Sequence, residues 1–243
     1  MRLVRFRRCR PSQTPVWAQP ERDVRDEPDG RARIAGMQPF RLHGTRILEV
    51  DLRGGSVRAA TGSMIAYDGD VTFKSAGMGG GDGLRAALKR RATGESISLM
   101  QCSGTGVVRF AKDAMEILLV ELGGDTLRAE SERLLALSDG LSTDVAFSGL
   151  RGASSGQGLF TTTVSGHGTA ALLSAGGPPI ALEVSPQYPL VVDPDAFIAS
   201  QGHLDQTFVT DVSWRTVVGE GSGEAFSLRF DGKGIVFIQP EER

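Results

Sequence analysis

Gly152-Ala153-Ser154-Ser155-Gly156 matches the Gly-x-Ser-x-Gly pattern of a nucleophile elbow, which lifts a serine into position to attack a carbonyl carbon. The elbow works only on a strand-to-helix turn, with a histidine and an acid supplied by other loops. Here the following residues, Leu159-Phe160-Thr161-Thr162-Thr163-Val164, read as a strand, so the motif is expected to be a loop of small residues. The histidines, His43, His167 and His203, show no metal-ligand spacing. His43 alternates with Phe40 and Leu42 in a first strand, whereas His167 and His203 are expected at turns. Cys9 and Cys102 make neither a zinc motif nor a disulfide framework, and Cys102 is expected to pack as a small apolar residue. No catalytic residue, metal site or cofactor is assigned.

Other segments carry recognition chemistry. The run Gly77-Met78-Gly79-Gly80-Gly81-Asp82-Gly83 leads into a predicted helix, as phosphate-binding loops do. It lacks the closing Gly-Lys-Ser/Thr and a parallel βαβ setting, so it is expected to be a flexible connector. The helix, Leu84-Arg85-Ala86-Ala87-Leu88-Lys89-Arg90-Arg91, puts Leu84, Ala87, Leu88 and Arg91 on one face. Leu84, Arg85, Leu88, Lys89, Arg90 and Arg91 form the candidate interaction patch, basic and amphipathic, suited to a partner protein or to peripheral contact with acidic headgroups. Glu49, Glu121 and Glu183 recur at one position of three related units. If they converged they would make a carboxylate ring able to hold a cation. The expected arrangement is instead outward-facing residues on half-buried strands.

The elements that position these residues repeat three times along the chain. The units open on Ile47-Leu48-Glu49-Val50, Leu119-Val120-Glu121-Leu122 and Ala181-Leu182-Glu183-Val184. Next comes an apolar residue, Val57, Leu127 or Leu190, and then Ile65-Ala66, Leu135-Ala136 or Ile198-Ala199. Glycine turns are expected at Gly69, Gly140 and Gly202. Each unit closes on a predicted type II′ hairpin, at Ser103-Gly104-Thr105-Gly106, Ser165-Gly166-His167-Gly168 and Asp231-Gly232-Lys233-Gly234. The units fall at about 40–112, 113–176 and 177–243. Residues Thr126–Ala136 have helical propensities, but their counterparts carry Gly62 and Pro194, so strand–turn–strand is expected in all three. The fold class is all-β: three strand-rich lobes, sandwich-like or double-stranded β-helix-like, with one short helix.

Composition agrees with this reading. The 243 residues include 32 glycines and no asparagine, so turns and close approaches fall to glycine. A net charge of −2 argues against a broad basic face for nucleic acid. Two Trp and two Tyr offer little stacking surface. The two cysteines fit a reducing compartment, and a cytoplasmic location is expected. Residues 1–36, with nine Arg, five acidic residues and four Pro, are expected to be disordered. Residues 37–243 are expected to form one domain, and Met37 is expected to be the translation start, which a peptide from residues 1–36 of native protein would refute.

The order of these motifs resembles one family. Gly79-Gly80-Gly81-Asp82-Gly83-Leu84, then Leu88-Lys89-Arg90, then Gly94-Glu95-Ser96-Ile97-Ser98-Leu99 is similar to a recurring segment of the altered-inheritance-of-mitochondria protein 24 family. The opening at Glu49 and the closing Gly223-Glu224-Ala225-Phe226-Ser227-Leu228-Arg229-Phe230-Asp231-Gly232-Lys233-Gly234 are similar too, so the resemblance spans about residues 38–239. It implies a fold like that of the tryptophan RNA-binding attenuation protein, in threefold-like lobes that often assemble further. It also implies a link, in fungal members, to organisation of the mitochondrial inner membrane. It supplies no catalytic residues. The short Gly149–Gly158 segment has no counterpart of the helix at Leu84–Arg91, which separates the roles of the inter-strand segments.

The function expected from these observations is a non-enzymatic interaction or scaffold protein with protein partners, which include further copies of itself. Nucleic-acid binding, suggested by fold analogy, and small-ligand binding within the β lobes are the alternatives.

Overall fold

The computed structural model describes residues 40–75, 98–147, 160–210 and 226–240. Apolar residues at period two, as in Ile47–Asp51, bury Leu48 and Val50 and leave their neighbours half-exposed, the signature of a strand with one face on a core. Among the described residues thirteen such strands pair, all antiparallel, in one open sheet. The first unit holds β1 (Phe40–His43), β2 (Ile47–Asp51), β3 (Ser56–Ala60), β4 (Met64–Ser75) and β5 (Leu99–Phe110). The second holds β6 (Glu116–Glu130), β7 (Leu134–Ser138), β8 (Leu141–Phe147) and β9 (Phe160–Ser174). The third holds β10 (Ile180–Val184), β11 (Leu190–Val192), β12 (Phe197–Thr210) and β13 (Phe226–Ile238). The main path runs β1-β2-β5-β3-β7-β9-β6-β12-β13-β10, with β4 on β5, β8 on β9 and β11 on β13. The helix predicted at Leu84–Arg91 and the extension at 1–36 lie outside the described residues.

Register relates the units residue by residue. Val57, Leu127 and Leu190 stand opposite Cys102, Val164 and Phe230. Each unit has the same register shift, between Met64 and Ala66, Leu134 and Ala136, and Phe197 and Ala199. The helix-prone stretch at 126–136 folds as strand–turn–strand: β6 ends at Glu130, a 3-10 turn spans Ser131–Arg133, and β7 follows.

Two expectations are corrected. Ser103–Gly106, Ser165–Gly168 and Asp231–Gly234 are not hairpin tips; each lies inside a continuous strand, β5, β9 or β13. Gly69 and Gly202 likewise lie within β4 and β12, and only Gly140 sits at a turn. The glycines serve a close crossing. A Cβ on Gly104 would collide with the Asp70 carbonyl oxygen, and one on Gly106 with that of Asp68. Glycine lets two strands pass where any side chain would hold them apart. Beyond the crossing the partner changes: residues 99–103 of β5 pair with β3, and residues 107–110 pair with β2.

Among the described residues the core forms three clusters. The first, around Leu48, Val57, Cys102 and Phe110, takes in Leu135 and Ala136 of the second unit. The second, around Leu127, Leu137 and Leu172, takes in Ile198 and Ala199 of the third. The third, around Phe197, Leu228 and Phe230, is drawn from its own unit alone, and the rings of Phe197 and Phe230 stack with centroids 5.4 Å apart.

Candidate interaction surface

The titratable residues that the fold brings together form a row across four strands of the first unit. His43 Nε2 on β1 lies 2.9 Å from Glu49 on β2, Arg109 on β5 lies 2.9 Å from the same carboxylate, and Arg109 also donates to Asp68 on β4 at 3.0 Å. Partial burial pushes the Glu49 carboxyl upward, but the hydrogen bonds and charges of His43 and Arg109 outweigh it and hold the group below its usual 4.5. Every member of the row is engaged by its neighbours, so the row acts as a ladder holding β1 against β2. A depressed carboxylate contributes stability above its ordinary value and loses that contribution as pH falls through the folded-state value. Glu49→Gln is therefore expected to flatten the loss of stability below pH 4.5 while leaving neutral stability less changed, as read by urea denaturation at a series of pH values.

The units are joined by strand pairing of one recurring kind. β3 meets β7 through Val57–Ser138, Arg58–Leu137 and Ala59–Ala136. β6 meets β12 through Leu127–Gln201, Arg128–Ser200 and Ala129–Ala199. An arginine seals each junction: Arg58 donates to the Leu141 carbonyl and Arg128 to that of Leu204, the latter at 2.8 Å. Burial pushes the Arg58 guanidinium below its usual value against the opposing pull of Asp139. Gln201 adds hydrogen bonds to the Glu121 carbonyl and the Asp125 carboxylate.

The strands that would make a third junction, β11 and the start of β4, pair only within their own units among the described residues. Their apolar residues lie open. Ile65 is 53% exposed although its counterparts Leu135 and Ile198 are fully buried, and Tyr67 (51%), Val191 (46%) and Tyr188 (78%) are open as well.

The residues singled out from the sequence are distributed otherwise. Leu84, Arg85, Leu88, Lys89, Arg90 and Arg91, the run Gly77–Gly83 and the motif Gly152–Gly156 lie outside the described residues. His167 stands opposite Gly123 and His203 opposite Lys233, within strands rather than at turn tips. Cys102 is buried opposite Val57, and burial pushes its thiol up to about 11, so it packs as an apolar residue. Glu49, Glu121 and Glu183 do not share a position. Glu121 and Glu183 face Thr169 and Ile235, and the matching residue of the first unit is Asp51, facing Val107; Glu49 faces Arg109 two residues earlier. Matching Leu-Glu-Val by letters slipped the first unit by two residues, whereas the glycine crossing fixes the register. Glu49 and Glu121 have separate partners, the latter accepting from the Thr169 hydroxyl at 2.8 Å, and among the described residues no three His, Cys, Asp or Glu could share a metal. Ile65, Tyr67 and Val191 were missed. No local signal marks Ile65, because Ile65-Ala66 reads like its counterparts Leu135-Ala136 and Ile198-Ala199.

Among the described residues no helix is long and apolar enough to cross a membrane. No curated protein matches the chain. Among solved structures, the crystal structure of a Streptococcus pyogenes protein is similar, with a TM-score of 0.64 and 25% sequence identity over 84% of this chain and 93% of that one. Residues 40–241 match the family described as mitochondrial biogenesis AIM24, a match that spans all three units. By that match over most of its length, the chain belongs to the AIM24 family.

Proposed function

We propose that this protein is a non-enzymatic interaction or scaffold protein that recruits protein partners by adding strands to its sheet. The observation that carries this reading is that β4 and β11 each pair with one strand among the described residues and leave Ile65, Tyr67 and Val191 exposed. An unpaired strand edge offers a row of backbone donors and acceptors, and apolar side chains beside it give a partner strand something to bury. The charged row His43–Glu49–Arg109–Asp68 supports the same reading, since its groups neutralise one another. The basic segment with Leu84, Arg85, Leu88, Lys89, Arg90 and Arg91 is proposed as a second contact for a protein partner. The test is site-specific photo-crosslinking in cells, with a photoreactive residue at position 67, 88 or 191 of the full chain and at exposed Ala114 as control. Protein adducts at 67 and 191 above the control are expected; adduct yields no higher than at Ala114 would overturn the reading.

A further inference from the structure

Arg133 is the largest fully buried side chain among the described residues. It closes the 3-10 turn that leads into β7, the strand that pairs with β3 at the junction of the first and second units. Its Nε donates to the Glu130 carboxylate at 3.1 Å and its Nη1 to the Met115 sulfur at 3.6 Å, while its Nη2 has no hydrogen-bond partner among the described residues. A thioether is a weak acceptor, and a buried guanidinium needs strong ones. Met115 reaches this arginine from the other side of the boundary: it ends the Lys112–Met115 turn and packs against the first core cluster. It is half-buried and follows the exposed Asp113 and Ala114, which opens a path from solvent for a small reagent.

We infer that Met115 is a site of reversible oxidation by peroxide, and that Arg133 holds the sulfoxide so formed. The sulfur lone pair attacks the peroxide: an S–O bond forms, the O–O bond breaks, and the other oxygen leaves as water after taking up the proton. The sulfur gives up two electrons and the peroxide accepts them. Methionine sulfoxide ordinarily disrupts a core, because it sets a polar group among apolar ones. At Met115 the outcome is reversed. The new oxygen is a strong acceptor placed beside a buried cation that lacks one, in the sulfoxide epimer that directs it toward the guanidinium. The bond ties the first core cluster to the turn ahead of β7, so oxidation tightens the first junction, and a methionine sulfoxide reductase releases it. Met64 and Met100 pack against the same cluster with no arginine bonded to either sulfur among the described residues, and their oxidation is expected to loosen it. This site is independent of the strand-addition reading, and neither depends on the other.

The experiment treats the full chain with graded hydrogen peroxide below any dose that unfolds it, and peptide mapping reads each methionine separately. A Met115→Leu chain given the same dose controls for the other methionines. Met115 is expected to gain one oxygen in the folded protein and to raise the thermal midpoint by about 3–6 °C over that control, the range for a hydrogen bond to a charged group in a chain of this size. Methionine sulfoxide reductase is expected to return the midpoint to its starting value. Met115→Gln supplies a permanent amide oxygen and is expected to unfold above Met115→Leu. That order is expected to reverse in the Glu130→Leu/Arg133→Met background, where no cation is left to bond. A Met115 that stays reduced while the protein is folded overturns the inference, as does a midpoint that falls relative to the control on oxidation. Met115→Gln unfolding below Met115→Leu with Arg133 in place, or the same order in both backgrounds, overturns it as well.

Discussion

Gly104→Ala is expected to destabilise the protein by about 3 kcal/mol or more, the upper range for forcing atoms into a packed site. Two causes act together. The backbone there has φ of +134°, which side-chain-bearing residues rarely adopt, and the added Cβ would fall inside the van der Waals envelope of the Asp70 carbonyl oxygen. The obstacle is backbone of the paired strand, so relief requires β4 and β5 to separate. Gly54→Ala separates the two causes: its φ is +87° but nothing lies within 4 Å, and a cost of about 1 kcal/mol is expected from conformation alone. Urea denaturation of both variants measures the difference. Equal costs would show that the crossing is not the constraint.

Glu130→Leu is expected to cost about 3–5 kcal/mol, because it strands a buried cation. Arg133 is 2% exposed in its side chain, its Nε donates to Glu130 at 3.1 Å, one terminal nitrogen lies 3.6 Å from the Met115 sulfur, and the other has no hydrogen-bond partner among the described residues. That guanidinium is already under-satisfied, so loss of its carboxylate leaves charge in apolar surroundings. The double variant Glu130→Leu/Arg133→Met removes both charges and is expected to recover most of the loss, since apolar replacement of a buried pair is often neutral or stabilising. Thermal and urea unfolding of the two single variants and the double variant close the cycle. Strictly additive losses would contradict this reading of the pair.

Much of the architecture was legible in the sequence because the units could be compared with one another. Helical propensity in Thr126–Ala136 yields to the fold, since Gly62 and Pro194 in the counterparts exclude a shared helix. The equivalence of Cys102, Val164 and Phe230 identified Cys102 as a packing residue, and pairing register places all three opposite the matched Val57, Leu127 and Leu190. The Gly-x-Gly pairs were misread because a tight turn and a close crossing demand the same residue. What separates them is the neighbouring strand, which lies outside any local window. The carboxylates were misaligned for a related reason: identical letters outweighed a register that only the crossing reveals. The open edges were not legible at all. Ile65-Ala66 reads like Leu135-Ala136 and Ile198-Ala199, and its exposure arises because β4 pairs with β5 alone among the described residues.

Amide hydrogen exchange on the full chain in dilute solution tests the open-edge claim most directly. Those amides of Ala66–Asp68 and Leu190–Val192 that face away from β5 and β13 are expected to exchange fast in dilute protein. Those of Val57–Ala59 and Ala136–Ser138, already paired within the chain, are expected to be protected throughout. Slow exchange of those outward-facing amides in dilute protein would contradict edges open to a partner strand.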